Sequence, residues 1–498
     1  MKKELHMIGN THFDPVWLWT WDEAMSSIRA TFHSALERMK EYPDFKYSFS
    51  APAVFEWIEK TEPEMFEEIR QRVKEGRWEL AEGWWLQPDC VCAGGESYIR
   101  QGLYAQKYFQ EHFGKLSRTV FNVDSFGHPA SFPQILNQCG ITNYMFCRPC
   151  YGHKQLEDPL FVWKGDNNSQ VYTYRVGNLA GACFPPEVKD SLSGETADFG
   201  DKAYPLCILY GVTDHGGAPT KEAITHIHQF DETSKEYRSR MLEQGSIRTT
   251  VKLIWHYHMS VIEQYYTLYR DFVECRYRVG WNEQKKTLKF SLISDLAHPE
   301  CEVAIPYGRI KRKPCIYERP MGEWLTLTEG TKKVNIMADS IFAYHFDGKE
   351  IGLTVLRSCI YGDLRTKELD PEGDFCYMGQ GVTEGRIRIS FGDLPEKEAI
   401  CLNNPPVVTV ESNHGGSLKG EGQFFHTDND NVILSACKLS EDGRAIVARL
   451  HEIKGRGCTA EGRIFETAFQ EHCSSNEIMT LRIEAENAEK VSALEDRF

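Results

Sequence analysis

The sequence predicts a multidomain protein of mixed α/β and β class. It has an N-terminal parallel α/β domain with a barrel-like arrangement, a truncated helical linker and a C-terminal antiparallel β-sandwich. In the first half, strand-like and helix-like segments alternate, which is typical of a parallel sheet covered by helices. After about residue 265 the sequence changes to short alternating runs separated by turn residues, which favour antiparallel strands. These two observations predict domains over residues 1–232 and 269–498, joined by a helical remnant over residues 233–268.

Local signals predict where the N-terminal helices lie and end. Ile28, Phe32 and Leu36 recur at helical spacing and predict one buried helix face. Pro63 predicts an interruption of the next helical segment, because proline lacks the backbone N–H and clashes with the preceding turn. Gly114 predicts the end of a later helix, since glycine readily adopts the left-handed conformation of helix C-termini.

The composition excludes several classes of protein. The formal net charge of −15 disfavours nucleic acid as a partner, because phosphate binding requires basic patches. No apolar run approaches the roughly 20 residues that span a bilayer, so no membrane partner is expected. The start of the chain lacks the apolar core of a secretory signal, which predicts a cytoplasmic protein with its 16 cysteines as thiols. The close pairs Cys90/Cys92 and Cys147/Cys150 are interpreted as ordinary thiols, because structural zinc usually needs four ligands.

Three side chains that can bind a metal follow predicted strands. His12 and Asp14 come after the first strand, and Asp124 comes after a later one. Alternate residues of an extended strand face the same side, so the imidazole and the carboxylate at positions 12 and 14 can converge. An imidazole with two carboxylates suits zinc better than calcium or magnesium, which prefer oxygen ligands. The sequence therefore indicates a divalent-metal site, with ordinary turn residues as the alternative.

Several long motifs, in this order along residues 5–225, resemble glycoside hydrolase family 38, the retaining α-mannosidases. They include "THFDPVWLWTWDEA", "WELAEGWWLQPD", "FNVDSFGHPASFPQILNQCGI" and "LYGVTDHGGAPTKE". The resemblance resumes in "RYRVGWNEQKKTLKFSL" and "PYGRIKR", which are similar to parts of the C-terminal β-domain of the family.

The resemblance implies a role for each matching residue. His12 and Asp14 correspond to zinc ligands, and Asp124 corresponds to the carboxylate that both binds zinc and acts as the nucleophile. Asp214 falls where the bacterial branch of the family places its general acid/base. The implied cofactor is one Zn²⁺ ion, with another divalent first-row metal as the alternative.

The implied substrate is a mannose-containing oligosaccharide or a simple mannoside. Trp17 and Phe126 correspond to aromatic residues that line the mannose subsite. The resemblance implies hydrolysis of terminal α-mannosidic bonds with retention, through a covalent glycosyl-aspartate.

The chain departs from the family between about residues 235 and 265, where a helical bundle and the "FHD"-type segment that supplies the fourth zinc ligand have no counterpart. His215 is the first candidate to replace that ligand, and His128, His256 and His258 are the alternatives. Loss of the bundle would expose apolar surface, which we expect to be covered by closure of the domains or by formation of a homo-oligomer.

Three functions remain open at this point. The first is an active zinc-dependent α-mannosidase, which the intact strand-end aspartates favour. The second is a catalytically inactive, internally deleted family member with at most residual zinc or sugar binding, which the missing segment favours. The third is a zinc deacetylase of carbohydrates, which shares only single residues with this sequence.

Overall fold

The computed structural model describes most of the chain. The described residues are 5–17, 19–41, 43, 45–49, 51–149, 154–176, 206–210, 237–244, 248–360, 375–393, 396–410, 415–416, 421–485 and 487–496. The chain divides into two compact units: the first comprises Met1–Gly216, Pro306–Gly308 and Glu421–Phe498, and the second comprises Gly217–Ile305 and Arg309–Gly420. None of the described helices is long and apolar enough to cross a membrane.

The N-terminal part of the first unit contains eight of the described strands and five of the described helices. The strands are β1 (Leu5–Asn10), β2 (Tyr47–Ser48), β3 (Trp78–Glu79), β4 (Thr119–Asn122), β5 (Asn143–Phe146), β6 (Leu160–Lys164), β7 (Gln170–Arg175) and β8 (Leu206–Tyr210). The helices are α1 (Trp21–Glu41), α2 (Pro52–Thr61), α3 (Pro63–Lys74), α4 (Gly95–Phe113) and α5 (Phe132–Gln138).

These strands form two four-stranded sheets. The first has the order β3-β2-β1-β8, and its pairs are parallel. In the second, with the order β4-β5-β7-β6, the first three strands are parallel and β6 is an antiparallel edge. The predicted alternation of strands and helices around mostly parallel sheets is confirmed, whereas closure into a barrel stays a prediction.

The predicted helix signals are confirmed in detail. Ile28, Phe32 and Leu36 of α1 are buried in one apolar cluster, and each such side chain contributes about 1.5–3 kcal/mol relative to exposure. Helix α2 ends before Pro63, which occupies the first turn of α3, where its missing N–H costs nothing. Gly114 ends α4 with a φ of 69°, and its N–H donates to the Gln110 carbonyl.

The second unit contains thirteen of the described strands and one of the described helices. These are β9 (Tyr237–Gln244), β10 (Thr249–Tyr257), β11 (Ser260–Leu268), β12 (Phe272–Trp281), β13 (Thr287–Ile293), β14 (Glu300–Ile305), β15 (Gly308–Arg312), β16 (Cys315–Pro320), β17 (Trp324–Glu329), β18 (Lys332–Ala338), β19 (Ala343–Phe346), β20 (Glu350–Arg357), β21 (Gly381–Phe391) and α6 (Glu396–Asn403), of which β15 begins at the last residue of the first unit.

Two sheets of this unit share one buried core. The nine-stranded sheet has the order β15-β14-β17-β18-β21-β12-β11-β10-β9, and the four-stranded sheet has the order β13-β20-β19-β16. Trp281 of β12 and Leu353 of β20 are both fully buried in the same cluster. The predicted antiparallel β-sandwich is therefore confirmed for this region.

The helical linker predicted over residues 233–268 is wrong where the structure describes it. Strands β9, β10 and β11 pair antiparallel there, and His258 and Met259 form the two-residue turn between β10 and β11, with a φ of 46° at His258. The aromatic and β-branched side chains that fill β10 and β11 favour a pleated surface. Their backbone groups pair with each other and with β12, so tertiary pairing outweighs the local helical spacing.

The C-terminal residues belong to the first unit, whereas the sequence predicted a single domain over residues 269–498. They form β22 (Phe425–Thr427), β23 (Val432–Leu439), β24 (Ile446–Glu452), β25 (Cys458–Ile464), β26 (Thr467–Cys473), β27 (Ile478–Glu484) and β28 (Asn487–Val491). The Arg449 side chain is 1% exposed and pairs with Glu96 of α4 at 2.6 Å. A buried guanidinium needs a carboxylate partner, and here that partner lies more than 300 residues earlier in the chain.

Candidate active site

The first parallel sheet places His12 and Asp14 just beyond the end of β1. Asn10, the last residue of that strand, is buried and donates its side-chain N–H to the Ser48 carbonyl at 3.0 Å. Nε2 of His12 lies 3.5 Å from Oδ1 of Asp14. The imidazole is 7% exposed, so the predicted convergence of these two side chains is confirmed.

Asp124 lies two residues beyond β4, and a buried polar network holds the turn that carries it. The Trp84 indole donates to Oδ1 of Asn122 at 2.7 Å, and the Asn122 amide donates to Cys90 Sγ and to Ser125 Oγ, both at 3.1 Å. Because Asn122 and Ser125 flank Asp124 and are almost completely buried, the network fixes the backbone on both sides of this carboxylate.

Arg148, which follows β5, is the direct partner of Asp124. Its Nε lies 2.5 Å from Oδ1 of Asp124, and its guanidinium carbon lies 5.0 Å from the centre of the Phe126 ring. The Arg148 carbonyl is itself 2.6 Å from Nε2 of His128. One arginine therefore connects the carboxylate, the aromatic ring and the turn of the "FGH" motif.

His128, one of the candidate metal ligands, uses both of its ring nitrogens elsewhere. Nε2 donates to the Arg148 carbonyl, which leaves Nδ1 to accept from the Tyr144 hydroxyl at 2.7 Å. Burial lowers the pKa of His128, which favours this neutral tautomer. The alternative of a zinc ligand is therefore wrong, since neither nitrogen retains a lone pair directed at a cation.

The other candidates for a fourth ligand have separate outcomes. His215 and the predicted acid/base Asp214 lie outside the described residues, so both assignments stay predictions. In the second unit, His256 is exposed on β10, and Nδ1 of His258 lies 3.2 Å from the Glu283 carboxylate. His258 thus has a carboxylate partner just beyond β12.

The charges around His12 oppose the effect of burial on its pKa. Burial alone would lower the pKa of His12, but the hydrogen bond and charge of Asp14, with the charges of Asp124 and Glu82, raise it. Burial raises the pKa of Asp124, although Arg148 and His12 favour its charged form. The site is therefore a partly buried group of carboxylates with an imidazole and a guanidinium as counter-charges.

Glu82 is a third acidic residue of this site, which sequence reasoning missed. It is 9% exposed, three residues beyond β3, and burial raises its pKa to about 7 despite the favourable charge of His12. The same rule that identified Asp124, a carboxylate just after a strand, could have found it in "WELAEG". Arg148, also missed, follows a strand in "NYMFCRP", but its partner comes from another strand and leaves no local signal.

The imidazole and carboxylates of the site are residue types that zinc binds. Nε2 of His12 and Oδ1 of Asp124 are buried and make no hydrogen bond of standard geometry. Their charged neighbours are Oδ1 of Asp14 at 3.5 Å and Nε of Arg148 at 2.5 Å, respectively. Asp14 supplies a further carboxylate beside the imidazole. Within the described part of the chain, no group of three or more His, Cys, Asp and Glu side chains is close enough to hold a metal ion.

The two predicted aromatic residues are both at least partly exposed. Phe126 is 58% exposed beside Arg148. Trp17 is partly exposed and packs edge-on against Trp19 with 5.1 Å between ring centres. The Trp19 indole donates to the Asp14 carbonyl at 2.9 Å, so the tryptophan pair is joined to the segment that carries His12 and Asp14.

Comparison with known proteins identifies the family of this sequence. Residues 2–260 match the glycosyl hydrolases family 38 N-terminal domain, and residues 225–365 match the C-terminal domain of the same family. Together the two matches cover most of the chain, as the resemblance of the sequence motifs predicted.

Among curated proteins, similarity is confined to part of each relative. The chain is 29% identical to alpha-mannosidase G of Dictyostelium discoideum over 46% of this chain and 21% of that protein. It is 26% identical to alpha-mannosidase 2C1 of Homo sapiens over 46% of this chain and 22% of that protein. The aligned region thus spans about a fifth of the length of these relatives.

Among solved structures, the fold matches over nearly the whole chain. An alpha-mannosidase from Enterococcus faecalis V583 has a TM-score of 0.77 at 9% sequence identity, covering 97% of this chain and 100% of that chain. A glycosyl hydrolase family 38 protein from Enterococcus faecalis matches over the same shares with a TM-score of 0.73 and 9% identity.

Proposed function

The chain belongs to glycosyl hydrolase family 38, and from that membership we propose that it hydrolyses terminal α-mannosidic bonds in mannosides or oligosaccharides. The relatives named alpha-mannosidase support this reaction. The observation that carries the proposal is the position of Asp124, which lies at a strand end beside Arg148, His12 and the exposed Phe126.

Asp124 is the proposed nucleophile. Attack on the anomeric carbon requires the ionised carboxylate, which burial disfavours and which the guanidinium of Arg148 and the imidazole of His12 favour. Attack forms a bond between the Asp124 oxygen and the sugar while the glycosidic C–O bond breaks. Water then releases the sugar, so the reaction proceeds with retention.

Asp214 is the proposed acid/base. It would protonate the leaving oxygen in the first step and accept a proton from water in the second. A retaining arrangement requires the two carboxyl groups to lie about 5–5.5 Å apart. Phe126 and Trp17 would bind the apolar face of the mannose ring, since both expose part of an aromatic surface.

We propose that His12, Asp14 and Asp124 hold one Zn²⁺ ion, or another divalent first-row ion. When bound, the ion would supply positive charge to anchor sugar hydroxyls. The buried imidazole of His12 and the Asp14 carboxylate 3.5 Å from it support the assignment. His215 remains the proposed fourth ligand.

An inactive family member is the second candidate function. The family resemblance implies a helical bundle at about residues 235–265, and this chain has strands β9–β11 there. That difference favours an internal deletion. On this alternative the chain would retain at most zinc or sugar binding, and it would not cleave the substrate.

Turnover of a chromogenic α-mannoside distinguishes the two functions. We expect the purified protein to contain close to one zinc per chain, and Asp124→Asn to abolish turnover. Asp166→Asn, which changes an exposed aspartate in the turn between β6 and β7, is the matched control. A folded, zinc-loaded wild type without turnover on any α-mannoside would support the inactive alternative.

A further inference from the structure

Two cysteines face each other at the open end of a β-hairpin in the first unit. Strands β25 and β26 pair in regular antiparallel register from the turn at Phe465 to the pair Cys458 and Cys473. Both side chains point to the same face of the hairpin, because they oppose each other in the ladder. That face is the inner one: Cys473 is 1% exposed, and Cys458 packs against the same apolar cluster.

The geometry of this pair meets the requirements of a disulfide. Opposed residues of antiparallel strands have Cα atoms about 4.5–5.5 Å apart, and disulfides span about 4.4–6.8 Å between Cα atoms. Each thiol lies close enough to the other to affect its pKa. Among the described cysteines, all of which are free thiols, this is the pair that occupies opposed positions of one ladder.

We propose that Cys458 and Cys473 form an oxidisable dithiol that closes into a cross-strand disulfide when the protein meets a peroxide. In the first step, the Cys458 thiol attacks hydrogen peroxide, giving a sulfenic acid and one water. In the second, Cys473 attacks that sulfenic sulfur, forming the S–S bond and releasing a second water. The peroxide accepts the two electrons that the two thiols lose.

The order of attack follows from exposure. Cys458 is partly exposed, whereas Cys473 is almost completely buried. Burial raises the pKa of Cys473 to about 12 and also raises the pKa of Cys458. Since the thiolate is the reactive form, we expect slow oxidation over a long exposure to peroxide, and not the rapid response of a redox sensor.

The disulfide would join the first residue of β25 to the last residue of β26. Strand β25 also pairs with β22. A covalent link across this hairpin removes conformations from the unfolded chain. We therefore expect the oxidised protein to unfold at a higher temperature than the reduced protein.

Peptide mapping of the folded, full-length protein tests the pair. The protein is treated with hydrogen peroxide, unfolded, and alkylated at its remaining thiols. We expect one cross-linked peptide joining residues 458 and 473, a loss of two hydrogen atoms from the intact mass, reversal by dithiothreitol, and a rise of a few degrees in Tm.

Two variants make the outcome decisive. Cys458→Ser is expected to abolish the cross-link and the rise in Tm, whereas Cys437→Ser, at an exposed cysteine on β23, is expected to preserve both. Sulfinic acid at Cys458 without a cross-link in the wild type would overturn the proposal, and so would cross-links confined to other cysteines. The wild-type measurement decides the question even if a variant fails to fold.

Discussion

The guanidinium Nε of Arg148 lies 2.5 Å from the Asp124 carboxylate, an ion pair between groups that follow two adjacent parallel strands. Only 9% of the Asp124 side chain and 25% of the Arg148 side chain are exposed. Because burial raises the pKa of Asp124 and Arg148 opposes that effect, the ion pair favours the ionised carboxylate that attack on a sugar requires.

Substitution of Arg148 therefore tests how Asp124 is positioned. We expect Arg148→Lys to lower kcat by about 10²-fold. Lysine cannot reproduce the contact of the planar guanidinium with the Asp124 carboxylate, so the carboxylate moves. KM should change much less, and the acidic limb of the rate profile should shift to higher pH. Steady-state kinetics across pH measures both effects. The exposed Arg118→Lys is the control, and an equal loss in that variant would contradict a specific role.

Asn122 offers a test of the network beneath the nucleophile. Asn122→Ala leaves the buried Trp84 indole N–H and the Ser125 hydroxyl without their amide partner. We expect the free energy of unfolding to fall by about 1–3 kcal/mol, together with a lower kcat. Urea denaturation and kinetics measure these changes. Asn137→Ala, at an exposed position of α5, should alter neither, and an unchanged kcat in Asn122→Ala would argue against positioning.

Glu82 should make stability depend on pH. Its pKa is about 7 in the folded protein, against an ordinary value of 4.5. Between pH 4.5 and about pH 7, therefore, Glu82 is protonated in the folded state and ionised in the unfolded state. The free energy of unfolding should therefore fall as pH rises through this window, by about 3 kcal/mol in total.

Glu82→Gln should remove that dependence. In chelator-treated samples, we expect this variant to be more stable than the wild type at about pH 8 and similar to it at about pH 4, by urea denaturation. Glu79→Gln, an exposed neighbour, should retain the wild-type slope. Parallel stability curves for the wild type and Glu82→Gln would show that Glu82 titrates normally.

Metal removal tests the proposed cofactor independently of catalysis. A strong chelator should lower Tm and abolish turnover, and added Zn²⁺ should restore both, since a ligand that binds only the folded state stabilises it. His12→Ala should contain no bound zinc by elemental analysis, whereas the exposed His33→Ala should retain it. Full zinc content in His12→Ala would exclude His12 as a ligand.

Local chemistry predicted the parts of this fold that depend on nearby residues. Pro63 and Gly114 end helices because of their own backbone restrictions, and both ends are observed. His12 and Asp14 lie close together as predicted, although both come after the last residue of β1, so strand periodicity does not explain their contact. These signals require only a few residues of sequence.

Features set by distant residues could not be predicted in the same way. Residues 237–268 form strands because β12 and their own hairpin supply backbone partners, although their spacing also suits a helix. Arg148 reaches Asp124 from another strand, and His128 is removed from the ligand candidates by Tyr144 and the Arg148 carbonyl. Such contacts exist only once the sheet has formed.

The pairing of Glu96 with Arg449 has a consequence for biosynthesis. A ribosome synthesises the whole second unit before it produces residues 421–498. The N-terminal part of the first unit therefore lacks its C-terminal strands until translation is nearly complete. During that interval Glu96 has Arg100 as its ion-pair partner but lacks Arg449, and the side-chain amide of Gln134 lacks its hydrogen bonds to Ile478 and Asn476. Newly made chains should therefore depend on chaperones that bind exposed apolar surface until the C-terminus emerges.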